Sequence, residues 1–235
     1  PSEGSAVVAG HDVAGDTRAL RSRIGYMSQS FSLYADLSVG ENIELFGGLY
    51  DVVGPRLAAR RAWVLEMAGL AERDRQLTGE LPLGFKQRLA LGCAVLHEPA
   101  VLFLDEPTSG VDPLARRAFW DLIRELAASG TTVLVSTHYM EEAEYCHRLA
   151  LMNRGRLIAL DSPSGLRASV ASAGGVRDAG DVGVGRGPLA SAGPAAGVDA
   201  PHGDVGDVGD VGGHGITLED VFIELVRREG GAVVG

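Results

Sequence analysis

The run Val101-Leu102-Phe103-Leu104-Asp105-Glu106-Pro107 constrains the fold more than any other stretch of the 235-residue chain. Ala100 to Leu104 is short and continuously apolar, with Pro99 before it and Pro107-Thr108-Ser109-Gly110 after it. Such a run predicts a strand buried on both faces of a parallel sheet, because a strand with one solvated face would alternate polar and apolar residues. Parallel neighbours are joined by crossovers, usually helical, and helical patterns surround the run. Asp112-Pro113 offers an N-cap and a proline at the first helical position, and the helix is expected to end at Ser129-Gly130. TTVLVS (131–136) then predicts a second buried strand, and RIGYMSQ (23–29) reads as a further strand-like stretch.

Between these strands, Ser38-Val39-Gly40-Glu41 fits a capping box, so a helix is expected to run through Ile43, Leu45 and Phe46. A second helical pattern follows Pro55 (RLAARRAWVLEMAGL), and a third, LALGCAVLHE, is closed by Pro99. After the second strand, STHYMEEAE reads as a turn into a helix, and LALMNRGRLIAL as a hairpin about Arg154-Gly155. Buried strands alternating with helices give an α/β fold around a parallel sheet, with a helical subdomain at about 36–98.

A hydrophobic content of 46% suits a proper core, and no apolar stretch reaches the roughly 18 residues of a membrane span. No secretory signal opens the chain, so the expectation is a soluble protein or one held at a membrane by a partner. The net charge of −10 is concentrated late: residues 171–235 hold ten acids against four arginines. No basic surface is indicated, which argues against a nucleic-acid partner. Cys93 and Cys146 both lie in segments that read as helix, without ligand spacing, and are expected to be reduced core thiols. The six histidines show no metal-ligand spacing either.

Composition changes near Ser172. From 171 to 215 the chain is mostly Gly, Ala, Val, Asp and Pro, with GDV at 180–182 and three times in succession from 203 to 211. A disordered linker is expected, since such a segment buries too little apolar surface to offset its ordering entropy. A calcium-binding repeat is the sharper alternative, but a period of three does not match the nonapeptide pattern. TLEDVFIELV then reads as a capped amphipathic helix, in a closing segment of 216–235.

Paired carboxylates at the C-terminal end of a buried strand stand where open α/β sheets bind ligands. In nucleotide hydrolysis one acid can hold magnesium while the other orients or deprotonates water. Three further features favour that chemistry over two acids merely starting a turn. Thr137-His138 places an imidazole at the end of the next strand, Gln29 closes RIGYMSQ with an amide, and LPLGFKQR (81–88) starts a helix with glycine and free backbone N–H groups.

Together these motifs resemble the nucleotide-binding domain of an ABC transporter. VLFLDEP is similar to the Walker B strand, SGVD to the D-loop, STH to the switch-histidine loop, YMSQ to the Q-loop, and LPLGFKQR to the signature LSGGQxQR. The resemblance runs from about residue 5 to 170 and implies a P-loop NTPase-like core over 1–170, with TLEDVFIELV like the helix ending many exporter-type members. It implies ATP and Mg2+ as cofactors, with Asp105 binding the magnesium and Glu106 polarising the attacking water. His138 would contact the γ-phosphate, and Gln29 would approach the metal and sense a membrane partner. Asp112 would act across a dimer in which Leu83 and Gly84 touch ATP held by the second ATPase domain, whether a homodimer partner or a tandem-fused one. Transmembrane permease subunits would hold the protein on the inner face of the cell membrane, coupling hydrolysis to export of a drug or lipophilic molecule through the surface from Gln29 to Tyr50.

Two departures modify that picture. Pro82 and Leu83 replace the signature serine and first glycine, removing a hydroxyl donor and leaving a weakened or asymmetric second site as an expectation. LPLGFKQRLALGCA resembles the variant in ABC-2-type, multidrug-export subunits. More severely, the family needs GxxxxGK[ST] to hold the β- and γ-phosphates, yet Lys86 is the only lysine and Gln87 follows it. The start PSEGSAVVAGHDV, a glycine turn leading to a strand, reads as truncated or processed, just after the position of that loop. By itself the chain is expected to be unable to bind ATP and inactive as an ATPase. The alternatives are a P-loop-less partner domain donating its signature face to an intact ATPase, and a non-transport ABC ATPase, whose coiled-coil or basic inserts are not visible.

Overall fold

The computed structural model describes residues 4–15, 17–29, 33–174 and 216–228. The chain divides into two compact units, Pro1–Tyr139 and Met140–Gly235. The Gly/Asp-rich stretch read as a linker lies, from 175 to 215, outside the described residues.

The first unit opens with β1 (Val7–Val8) and β2 (His11–Asp12), a short antiparallel pair that turns at Ala9-Gly10, both at positive φ. Next come α1 (Thr17–Arg21), β3 (Ile24–Met27), α2 (Val39–Leu49), α3 (Gly54–Met67) and α4 (Leu83–Ala94). The unit closes with β4 (Val101–Asp105), α5 (Pro113–Ala128) and β5 (Thr132–Ser136). β3, β4 and β5 pair in parallel in that spatial order, so all three end at one edge.

Local chemistry sets the helix ends. Ser38 and Glu41 form the expected capping box, and the hydrogen bonds from the Ser38 backbone and hydroxyl hold the Glu41 carboxyl below its ordinary range. Asp112 caps α5 by accepting the N–H groups of Leu114 and Ala115, with Pro113 at the first helical position. α4 stops at Ala94, short of Pro99, and Arg60 of α3 donates to the carbonyls of Val95 and Leu96 just beyond its end.

The sheet is not buried as its apolar strands predict. One face carries Gly25, Met27, Leu102 and Leu104, all buried, with α4 against β3 and α5 against β5. On the other, the register aligns Tyr26, Phe103 and Leu134, and Tyr26 and Leu134 are 55% and 56% exposed. β4 is therefore buried on one face, and β5, an edge strand of this sheet, has no fully buried residue. A continuous apolar run reports affinity for a core, while burial depends on what packs against each face.

The helices α2, α3 and α4 pack together, and α4 contributes Leu89, Leu91 and Cys93 to a core shared with Ile43, Val64 and Leu70. Burial pushes the Cys93 thiol far up, so it stays protonated and behaves as a small apolar group. β3 meets α4 at Gly25, where an added Cβ would stand 2.4 Å from the Ala94 carbonyl oxygen and 2.9 Å from Leu102 Cδ1. Gly25→Ala is therefore expected to destabilise the fold by about 1–3 kcal/mol, read as a lower denaturation midpoint with an unchanged slope.

The second unit contains α6 (Met140–Ala143), β6 (Leu149–Asn153), β7 (Arg156–Asp161), α7 (Pro163–Gly174) and α8 (Leu218–Arg228). β6 and β7 form the expected hairpin, with Arg154 and Gly155 at φ 46° and 75°, as a two-residue turn requires. α8 is capped by Thr217 and Asp220, and its apolar face joins Leu149, Leu151 and Leu166 in a core of its own. Cys146 lies beyond the end of α6, so its segment is a turn rather than the expected helix. α6 is a single turn, and the Cys146 N–H closes back on the Ala143 carbonyl.

Candidate active site

Parallel strands deliver their C-terminal residues to one edge, and here those residues are polar. Gln29 follows β3, Asp105 ends β4 with Glu106 next, and Thr137-His138 follow β5. Gln29 Nε2 donates to Glu106 Oε2 at 2.7 Å, and His138 Nδ1 stands 3.3 Å from the same oxygen. The Glu106 side chain is 28% exposed and that of His138 55%, so the cluster is open to a ligand. The His138 ring rests against Tyr139 with centroids 4.1 Å apart, and the Arg116 guanidinium of α5 lies 4.4 Å from the Tyr139 ring centroid. This stack limits how the imidazole can turn.

Glu106 adopts φ +43°, a left-handed backbone uncommon for a side-chain-bearing residue. Its N–H donates to both the carbonyl and the hydroxyl of Ser136, at 3.1 Å each. Ser136 Oγ in turn donates to Asp105 Oδ1 at 2.5 Å. Ser136 was not singled out by the sequence reading. The signal was available, since a hydroxyl closes the strand just before Thr137-His138, but its meaning depends on the register that sets Asp105 opposite Ser136.

The structure thus brings Gln29, Asp105, Glu106 and His138 together. Leu83, Gly84 and Asp112 form a second group. A Cβ on Gly84 would stand 2.9 Å from the Ala115 Cβ, and one on Gly110 would stand 3.5 Å from Leu83 Cδ2, which places the start of α4 against the turn that Asp112 caps. Leu83 is 42% exposed there, and Pro82 provides no side-chain cap, leaving the first N–H groups of α4 without one. Phe85 sits between two guanidiniums, Arg88 at 4.4 Å and Arg73 at 5.0 Å. Lys86 Nζ donates to the Gly79 carbonyl at 2.9 Å, so the only lysine takes part in the local backbone of the helical region.

A parallel sheet with an amide, two carboxylates and an imidazole at its C-terminal edge is an arrangement suited to a phosphate-bearing ligand. Residues 1–109 match the family described as ABC transporter, and the chain is homologous to multidrug and drug-resistance ABC ATP-binding subunits. It is 48% identical over 172 residues to the probable multidrug ABC transporter ATP-binding protein YbhF of Escherichia coli (strain K12), covering 73% of this chain and 30% of that protein. It is 40% identical over 169 residues to the daunorubicin resistance ATP-binding protein DrrA3 of Streptomyces coeruleorubidus, covering 72% and 54%. With the Nod factor export ATP-binding protein I of Paraburkholderia xenovorans (strain LB400) the figures are 39% over 170 residues, 72% and 56%. The chain therefore spans about a third to somewhat over half of these relatives. A solved structure titled as the ATP binding subunit of an ABC transporter superposes with a TM-score of 0.65 at 28% identity, covering 73% of this chain and 72% of that one.

Proposed function

We propose that the chain forms the hydrolytic part of an exporter's ATP-binding subunit, coupling ATP hydrolysis to movement of partner membrane subunits. The observation that carries this reading is the convergence of Gln29 and His138 on one carboxylate oxygen of Glu106, beside Asp105. A carboxylate so placed fits a general base for water attacking a phosphoryl group, with the imidazole and amide as neighbours to the phosphate. The names of the relatives, which concern multidrug transport, daunorubicin resistance and Nod factor export, support an export role and a drug or lipophilic substrate.

Among the described residues no cluster of three or more His, Cys, Asp or Glu offers a complete metal cage. The Asp105 and Glu106 carboxylates beside the Gln29 amide fit magnesium, which is commonly held by one or two carboxylates together with substrate phosphates and water. Asp105 would hold it, with Gln29 near, and the ion would supply charge neutralisation to the phosphates.

The loop that cradles the β- and γ-phosphates is not among these residues, which contain no GxxxxGK[ST]. For these residues to act on ATP, that loop would have to be supplied by a further segment or a partner domain, a reading supported by the exposed Tyr26 and Leu134 on one sheet face. Leu83, Gly84 and Asp112 would face nucleotide held by a second ATPase domain. Among the described residues no helix is long and apolar enough to cross a membrane, so attachment at the inner membrane face would run through permease subunits.

The test is phosphate release from magnesium-ATP by the full-length gene product and by the 235-residue chain. Turnover by the former and no detectable ATP binding by the latter is expected. Absence of turnover in the full-length product with its membrane subunits would overturn the reading.

A further inference from the structure

We infer that Ser136 is a positioning residue that holds both carboxylates of the site with one hydroxyl, an inference that rests on the hydrolytic reading of Asp105 and Glu106. The parallel register sets Ser136 opposite Asp105, the last pair of the β4–β5 ladder. A hydroxyl has one proton to give and two lone pairs to receive. The proton goes to Asp105 Oδ1 at 2.5 Å, within the short range of hydroxyl–carboxylate bonds, and one lone pair takes the Glu106 N–H at 3.1 Å.

Each bond constrains a different carboxylate. The first fixes Oδ1 and so the rotation of the Asp105 carboxyl group, leaving Oδ2 as the oxygen available to a cation. The second helps hold Glu106 in its left-handed backbone, from which its side chain reaches Gln29 and His138. Through these two bonds Ser136 would orient the groups that meet the metal and the phosphate, as hydrogen-bond partners of metal ligands do.

The Glu106 N–H also donates to the Ser136 carbonyl, so the backbone link survives loss of the hydroxyl. That separates a positioning role from a merely structural one. Ser136→Val and Ser136→Thr are close in shape and both suit a strand, but only threonine keeps the hydroxyl. In the full-length gene product, manganese bound together with a non-hydrolysable ATP analogue is titrated by electron paramagnetic resonance, beside kcat, KM and thermal midpoint.

Ser136→Val is expected to weaken manganese binding by about tenfold and to lower kcat by a similar factor, as loss of a metal ligand's outer partner does. KM for ATP and the midpoint should stay near wild type, and Ser136→Thr should restore both manganese affinity and kcat. Wild-type manganese affinity in Ser136→Val, or equal loss in both variants, would overturn the inference. Wild-type protein that neither binds the manganese–nucleotide pair nor hydrolyses ATP would instead overturn the hydrolytic reading itself, and the inference with it.

Discussion

Glu106→Gln in the full-length gene product is expected to lower ATP turnover by about 10²–10⁴-fold, the range spanned by a lost general base. The substitution keeps the length and shape of the side chain and an oxygen that accepts the Gln29 amide, now 2.7 Å from Glu106 Oε2. The bonds from the Glu106 N–H to the Ser136 carbonyl and hydroxyl use no atom of the Glu106 side chain and are kept as well. Nucleotide affinity and thermal midpoint should therefore change little, and the loss should fall on kcat. Phosphate release under saturating magnesium-ATP, beside equilibrium binding of the analogue, makes the distinction. A variant that retains more than a tenth of wild-type turnover would remove Glu106 from the role of base.

The second large effect concerns stability. Asn42 of α2 is fully buried, and its side chain joins segments far apart in the chain. Oδ1 accepts the Tyr34 N–H at 2.9 Å, while Nδ2 offers its two protons to the carbonyls of Tyr34, Leu37 and Ser38 and to Thr78 Oγ1, at 2.9–3.4 Å. Asn42→Ala leaves these groups without the amide in a place water reaches poorly, and a cost of about 2–4 kcal/mol is expected. Asn42→Asp is the sharper control: a carboxylate still accepts from Tyr34 but has nothing to donate to the three carbonyls. Chemical denaturation of both variants should show comparable losses. A midpoint within about 0.5 kcal/mol of wild type for either would mean that the segment from Tyr34 to Ser38 is held by other contacts.

The amide also bears on function. Gln29 lies just ahead of that segment, on the chain's route from β3 to α2. A rigid anchor at Asn42 gives the stretch proposed to sense a membrane partner one fixed end. This follows from the placement of hydrogen bonds, which composition and periodicity do not report.

What could be read in advance was the part written locally. Ser38 with Glu41, Asp112 with Pro113, and Thr217 with Asp220 announce helix starts because a cap is a contact between neighbours in sequence. Arg154-Gly155 marked a hairpin because two consecutive positive φ values select few residues. The candidate site was legible through strand ends: in a parallel sheet every strand finishes at the same edge, so Gln29, Asp105, Glu106 and His138 had to become neighbours once the strands were recognised. The less legible features were those requiring knowledge of what faces what. TTVLVS is as apolar as a buried strand, yet Leu134 stands more than half exposed because it lies with Tyr26 on the sheet face that the described residues leave open. The partners of the Val95 and Leu96 carbonyls just past α4 come from Arg60, more than thirty residues earlier.

The sequence alone determined the class of fold, the order of its elements and which polar residues stand at the strand ends, because apolar runs, caps and strand-end polar groups act over a few neighbouring positions. Only the tertiary structure decided that Gln29 and His138 meet on one oxygen of Glu106, that Ser136 serves both carboxylates, and that one sheet face stays uncovered. Those depend on strand register and on packing between distant segments, where a shift of one residue would turn each of these side chains to the opposite face.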